Sequence, residues 1–232
     1  GIDDAGKEIL YNLELSRFNL DDLQLDEDHP TGSVNVHLDK NGEPQFDIIS
    51  DVAYDYIEFI TKYHSNLINA ARLMYFGSLI QRSEAGHKNL QAFIARNSSE
   101  SLHFYDINLR PGCYNTDIIK KSLIKTDILK LNAGELGKLK QIQSKKMNDD
   151  VFVHHLMETH AIRSVSLTKG EAGSELFTNQ GCFSSKPAEA VKVVDSVGAG
   201  DAFAAALIRG RLAGWYWPRS TRFASASGAI PP

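Results

Sequence analysis

Apolar and polar positions alternate strictly between Gly32 and Ile49. Val34, Val36 and Leu38 fall on every second residue, Asn41-Gly42 interrupts, and Phe46 and Ile48 resume the alternation. Period two broken by Asn-Gly predicts a two-stranded hairpin with one apolar face, because both residues tolerate the positive φ such a turn needs. An isolated hairpin is marginal in water, so this one has to cover or pair with something. From about residue 55 the pattern changes. Short apolar runs at 72–79, 102–107, 127–131 and 164–167 now alternate with amphipathic stretches at 84–96, 116–125 and 148–160. A second hairpin, 174–177 with 181–184, leads to a strand at 191–194 and a helix of small apolar residues at 202–212. Strands alternating with helices predict right-handed βαβ crossovers, hence a mostly parallel sheet covered on both faces. No repeat, low-complexity tract or Pro/Gly/Ser-rich linker divides the 232 residues. The expected architecture is one α/β/α domain over 1–232 with a small β-hairpin appendage at about 30–50, two separate domains being the alternative.

Composition narrows the class. Lys+Arg is 25 and Asp+Glu is 29, a net charge of −4, which excludes a globally basic nucleic-acid binder and leaves room for a local phosphate site. No apolar run approaches the roughly 18 residues of a membrane span, and no charged–apolar–small leader opens the sequence. The two cysteines, Cys113 and Cys182, form no CxxC pair and read as free thiols of a reducing compartment. These features predict a soluble, cytoplasmic protein with no nucleic-acid or membrane partner. The eight histidines show no metal spacing: His154 and His155 point apart on a helix, and with His160 they read as a solvated face. Ser78 lacks the Gly-x-Ser-x-Gly setting of a hydrolase nucleophile.

Ligands of open parallel sheets sit beyond the carboxyl ends of the strands, where helix N-termini also point. Four strand ends in succession carry polar or glycine-rich chemistry. Asp106 is followed by Asn108, Arg110 and Pro111; strand 127–131 by Asn132 and Glu135; strand 164–167 by Thr168, Lys169, Gly170 and Gly173. Strand 191–194 runs into Asp195-Ser196-Val197-Gly198-Ala199-Gly200-Asp201. Glycines let backbone N–H groups approach an anion, and a helix start adds favourable partial charge. The loop is neither a dinucleotide fingerprint nor a Walker A loop, which leaves an anion cradle with a carboxylate at its rim. Asp201 is either a general base or an ordinary N-cap. Asn132 and Glu135, one helical turn apart, suit Mg²⁺ held partly through water, or equally a capping box. Arg110 is a phosphate fork or one half of a surface ion pair. Thr168, Lys169, Gly170 and Gly173 also fit a plain strand-to-hairpin turn.

Taken together these segments resemble the ribokinase/pfkB family of carbohydrate kinases. Asp195-Ser196-Val197-Gly198-Ala199-Gly200-Asp201 looks like the family signature, with Ser196 in place of the usual Thr. Asn132-x-x-Glu135, Asp106-x-Asn108-x-Arg110, the Leu167–Gly173 turn, Pro30-Thr31-Gly32 with its hairpin, and Gly1–Gly6 match further family elements in the same order. The resemblance implies a ribokinase-like three-layer α/β/α fold with a β-hairpin lid, and transfer of the γ-phosphoryl of ATP to a sugar hydroxyl. By that analogy Asp201 is the base and Gly198, Ala199 and Gly200 are the anion hole. Asn132 and Glu135 organise Mg²⁺, Asn108 and Arg110 meet sugar or phosphate, and Thr168, Gly170 and Gly173 line the nucleotide. Asp195 marks a monovalent-cation site, K⁺ being the expected ion, and the lid implies a homodimer. Fructose leads the expected sugars; 2-keto-3-deoxygluconate, ribose, nucleosides, or a non-catalytic sugar- or nucleotide-binding paralogue stay open. The family layout also predicts a strand with a Gly-Gly motif ahead of Gly1, a further C-terminal helix, and a break in the chain somewhere in 213–228.

Overall fold

The structure, a computed structural model, describes residues 1–21, 23–38, 40, 44–58, 70–96, 100–186 and 198–229. The chain divides into two compact units, Gly1–Ser65 with Ile80–Ala95, and Asn66–Leu79 with Arg96–Pro232.

The first unit begins with a helix that the apolar pattern does not announce, α1 (Asp4–Leu15). Asp3 starts it. Its carboxylate accepts the Gly6 amide at 2.8 Å, as an N-cap does, and also the Thr31 hydroxyl at 2.6 Å and the Thr31 amide at 2.7 Å. One side chain thereby ties the helix start to the segment that enters the hairpin. β1 (Val34–Leu38) and β2 (Pro44–Ile48) pair antiparallel with Val36 opposite Phe46. This is the predicted hairpin, although its Asn41-Gly42 turn lies outside the described residues. Val34, Val36, Leu38 and Phe46 are exposed. Ahead of α2 (Glu84–Arg96), the buried Arg82 guanidinium holds Asp55 through two bonds of 2.7 Å and gives a third of 2.7 Å to the Ile49 carbonyl. Planar fork-to-carboxylate geometry makes this a strong local clamp.

The Thr31 hydroxyl, the Thr31 amide and the Gly6 amide hold the Asp3 carboxyl well below the ordinary aspartate value of 3.8. A depressed native pKa stabilises the fold above the unfolded-state value, and that contribution fades as pH falls below it. Acidification from about pH 4 down toward the much lower folded-state value is therefore expected to weaken the tie of α1 to Thr31 progressively. Amide-exchange protection at Gly6 and Thr31 reads this out, and Asp3→Asn should remove the pH dependence. Equal protection at those amides at about pH 5 and at about pH 2 would refute it.

The second unit is a six-stranded sheet in the order β3-β4-β5-β6-β7-β8. β3 (Leu73–Gly77), β4 (Leu102–Asp106), β5 (Ile128–Asn132) and β6 (Ser164–Thr168) run parallel. β7 (Ser174–Thr178) and β8 (Gly181–Ser185) extend it as an antiparallel hairpin. The helices are α3 (Thr116–Ile124), α4 (Ala133–Ile142), α5 (Asp149–His160), α6 (Ala199–Leu212) and α7 (Trp217–Gly228). Phe104 and Ile128 pack with Phe203, Ala204, Leu207 and Ala224 on one face. Alternation sends Tyr105 and Leu129 to the other, and Ile119, Leu123, Leu136, Leu139, Phe152 and Leu156 of α3–α5 are fully buried. Burial on both sides explains why these strands read as short continuous apolar runs. The mostly parallel sheet between two helical layers is the expected architecture; the strand expected at 191–194 lies outside the described residues.

The break expected in 213–228 needs correcting. Residues 217–228 form α7, entered through Tyr216 in extended conformation with Pro218 in the first turn, where its missing N–H costs nothing. Its buried stripe is Ser220, Thr221, Ala224 and Ser225, so the helix carries no large apolar signal. Thr221 Oγ1 donates to the Trp217 carbonyl at 3.0 Å, which lets a hydroxyl enter the core. Small residues also allow a close approach to α6: a Cβ on Gly210 would lie 2.6 Å from Ser220 Oγ.

Candidate active site

The parallel register brings three of the four predicted strand ends to one edge of the sheet. Gly77 stands opposite Asp106, Asp106 opposite Lys130, and Asn132 opposite Thr168. Asp195, Ser196 and Val197 lie outside the described residues, but the loop they lead into does not. Gly198 takes φ +80, a left-handed conformation that favours glycine, and α6 starts immediately after it. Asp201 is therefore the third helical residue and not the N-cap, so the capping alternative is set aside. Ala202 N–H is the amide that closes the first helical bond, to the Gly198 carbonyl at 2.8 Å. The amides of Ala199, Gly200 and Asp201 have no intrahelical acceptor and present positive partial charge. Asp201 is exposed, and among the described residues nothing hydrogen-bonds its carboxylate.

Beside this turn stands a group that sequence reasoning did not single out. Lys130 projects from β5 with its Nζ 2.7 Å from Asp106 Oδ2, and a Cβ on Gly200 would lie only 3.1 Å from that Nζ. Glycine at 200 leaves space for the ammonium. Both members of the pair are buried, and Asp106 Oδ1 has no hydrogen-bond partner among the described residues. Tyr75 OH reaches Asp106 Oδ2 at 3.3 Å. Burial pushes the Asp106 carboxyl upward while the Lys130 charge pulls against it. The Tyr75 hydroxyl is pushed up by burial and then by the charges of Asp106 and Asp201, which puts Asp201 within electrostatic reach of the same cluster. The signal for Lys130 was present as one charged residue inside an apolar strand; its meaning depends on cross-strand register.

Asn132 and Glu135 form a full capping box. Asn132 Oδ1 accepts the Glu135 amide at 2.9 Å and Glu135 Oε2 accepts the Asn132 amide at 2.8 Å. Glu135 Oε1 accepts the Leu109 amide at 2.9 Å, pinning the loop that carries Asn108 and Arg110. Asn108 sits at φ +36, the left-handed bend that turns the chain after β4. Arg110 is exposed and takes part in no ion pair among the described residues. With both Glu135 oxygens on backbone amides, the carboxylate fits a hydrated Mg²⁺ held through water better than one bound directly. Among the described residues no three His, Cys, Asp or Glu side chains form a metal cage.

At the end of β6, Thr168 is half-buried, and Gly170 (φ +57) and Gly173 (φ +91) shape a turn closed by Lys169 N–H to the Gly173 carbonyl at 2.8 Å. A Cβ on Gly173 would lie 2.1 Å from the Ser185 carbonyl oxygen, so glycine is required there by the fold itself.

A family model described as pfkB family carbohydrate kinase matches residues 1–231. The chain belongs to the pfkB family. This pfkB chain is 30% identical over 207 residues to a Pyrococcus horikoshii protein named "putative sugar kinase", covering 86% of the chain and 62% of that relative. It is 27% identical over 214 residues to fructokinase-2 of Oryza sativa subsp. japonica, covering 90% and 62%. It thus spans about three-fifths of the length of either curated relative. The crystal structure of fructokinase with bound ATP from Xylella fastidiosa superposes with a TM-score of 0.84 at 19% identity, covering 99% of this chain and 76% of that one. The pfkB chain accordingly has the ribokinase-like three-layer fold.

Proposed function

We propose that the chain carries the phosphoryl-transfer site of an ATP-dependent sugar kinase, with fructose as the preferred acceptor. The observation that carries this reading is the exposed Asp201 carboxylate in the first turn of α6, beside free helix amides and the buried Lys130 ammonium. In this mechanism Asp201 takes the proton of a sugar hydroxyl as that oxygen bonds to the γ-phosphorus and the bond to the β-phosphate oxygen breaks, releasing ADP. The amides of Gly198, Ala199 and Gly200, with Lys130, hold the phosphoryl oxygens as charge moves across them. The exposed Arg110 guanidinium and Asn108, on the loop pinned by Glu135, meet phosphate and sugar. Thr168, Gly170 and Gly173 line the nucleotide. Asn132 and Glu135 would hold Mg²⁺ through water, and the ion would offset negative charge on the phosphates.

The similarity to named fructokinases supports fructose over other acceptors. The test is ATP consumption by the whole protein against fructose, ribose, 2-keto-3-deoxygluconate and inosine. Fructose is expected to give the highest kcat/KM. A higher value for another acceptor moves the substrate within the family, and no turnover with any of them defeats the kinase reading.

A further inference from the structure

At the opposite end of the same sheet, where β4, β5 and β6 begin, a cavity of about 360 Å³ opens. None of its lining belongs to the phosphoryl-transfer site. Leu102, the first residue of β4, contributes apolar surface, and the Trp217 indole stands in the wall. Two buried polar atoms of the lining have no hydrogen-bond partner among the described residues, Ser164 Oγ and Arg211 Nε. Buried polar groups are nearly always paired, so two orphans in one cavity indicate a partner outside the chain.

The charges point the same way. Arg211 lies with its Cζ 3.9 Å from the centroid of the Trp217 ring and forms no ion pair among the described residues. Burial, and then the nearby Arg163, push its pKa down: a cation held partly out of water beside another cation. Arg163 gives its Nε to Asp127 Oδ1 at 3.0 Å, which leaves its two terminal nitrogens for something else. An oxyanion would relieve this arrangement, since a guanidinium meets a carboxylate or phosphate with paired donors. The apolar floor and indole wall then require that the anion carry a body.

We propose that this cavity binds a small organic oxyanion, a carboxylate or phosphomonoester with a planar or apolar body. The head meets Arg211 and Arg163, and the body packs against Trp217 and Leu102. The chain holds two tryptophans, Trp215 and Trp217, both at this end of the sheet, so indole emission reports on the cavity without any enzymatic assay. Trp215→Phe isolates Trp217. Titrating that variant with phenyl phosphate and with benzoate is expected to give a saturable change in emission with at least one of them, and the tighter arm identifies the head group. Inorganic phosphate, a head without a body, is expected to bind more weakly. Arg211→Gln, in the same background, should weaken binding roughly tenfold or more, the usual worth of a charged hydrogen bond. Asn179→Asp adds a carboxylate to the exposed rim while leaving the guanidinium in place, and should weaken binding too even if Arg211→Gln does not fold. Emission that changes only linearly with both probes, or variants that titrate as the parent does, would overturn the proposal.

Discussion

Asp201→Asn is expected to fold and bind ATP as the parent does, and to lose turnover by about 10²–10⁴-fold, the range that a positioned general base contributes. The substitution keeps shape and removes only the capacity to take a proton. Because the side chain is exposed and no described residue hydrogen-bonds it, little native structure depends on its charge. The helix start is held instead by Gly198 in its left-handed conformation and by the Ala202 N–H to Gly198 bond. Thermal melting, ATP affinity and initial rate with saturating sugar separate the cases. Unchanged melting and affinity with a collapsed rate supports the base. A near-parental rate removes Asp201 from the chemistry, and lost ATP affinity would place it in nucleotide binding.

What the sequence made legible was whatever rests on periodicity and local spacing. The β1–β2 hairpin, the βαβ alternation and α2 follow directly from the apolar pattern, since a strand or helix buries residues at fixed intervals. Among the described residues, α1 and α7 escaped for opposite reasons. α1 buries only Gly6, so it has no apolar stripe to find, and its cap is recognisable only once Thr31 is seen to share the Asp3 carboxylate. α7 does bury a stripe, but builds it from Ser220, Thr221, Ala224 and Ser225, which resemble a loop in composition.

The site divides along the same line. Asn132-x-x-Glu135 was visible as a pair one turn apart, and both of its readings followed from that spacing. The Glu135 bond to Leu109, which turns a local cap into a support for Asn108 and Arg110, depends on the pairing of β4 with β5. Asp201 was visible as chemistry but not as position: only the start of α6 at Ala199 separates a third-residue carboxylate from a cap. Lys130 was the most hidden, because a lysine within an apolar strand acquires a role only when register sets Asp106 opposite it and the α6 turn against it.

That ammonium carries the second large effect. Lys130→Met leaves Asp106 buried without its counter-charge, and breaking one side of a buried pair costs about 3–5 kcal/mol, so melting should fall by roughly 6–20 °C. The side chains are 10% and 2% exposed, which leaves water little means of compensating. Turnover is expected to drop as well, by about 10² or more, the usual consequence of removing a charge-stabilising group beside a transferring oxyanion. A destabilised variant alone does not separate the two roles. Lys130→Met combined with Asp106→Asn does: with both charges gone most of the melting temperature should return, while the rate stays low. Asp106→Asn alone keeps the ammonium beside Gly200 and should be much faster than the double variant at saturating ATP. Should the double variant recover both melting and rate, Lys130 serves the fold only and the cradle consists of the helix amides.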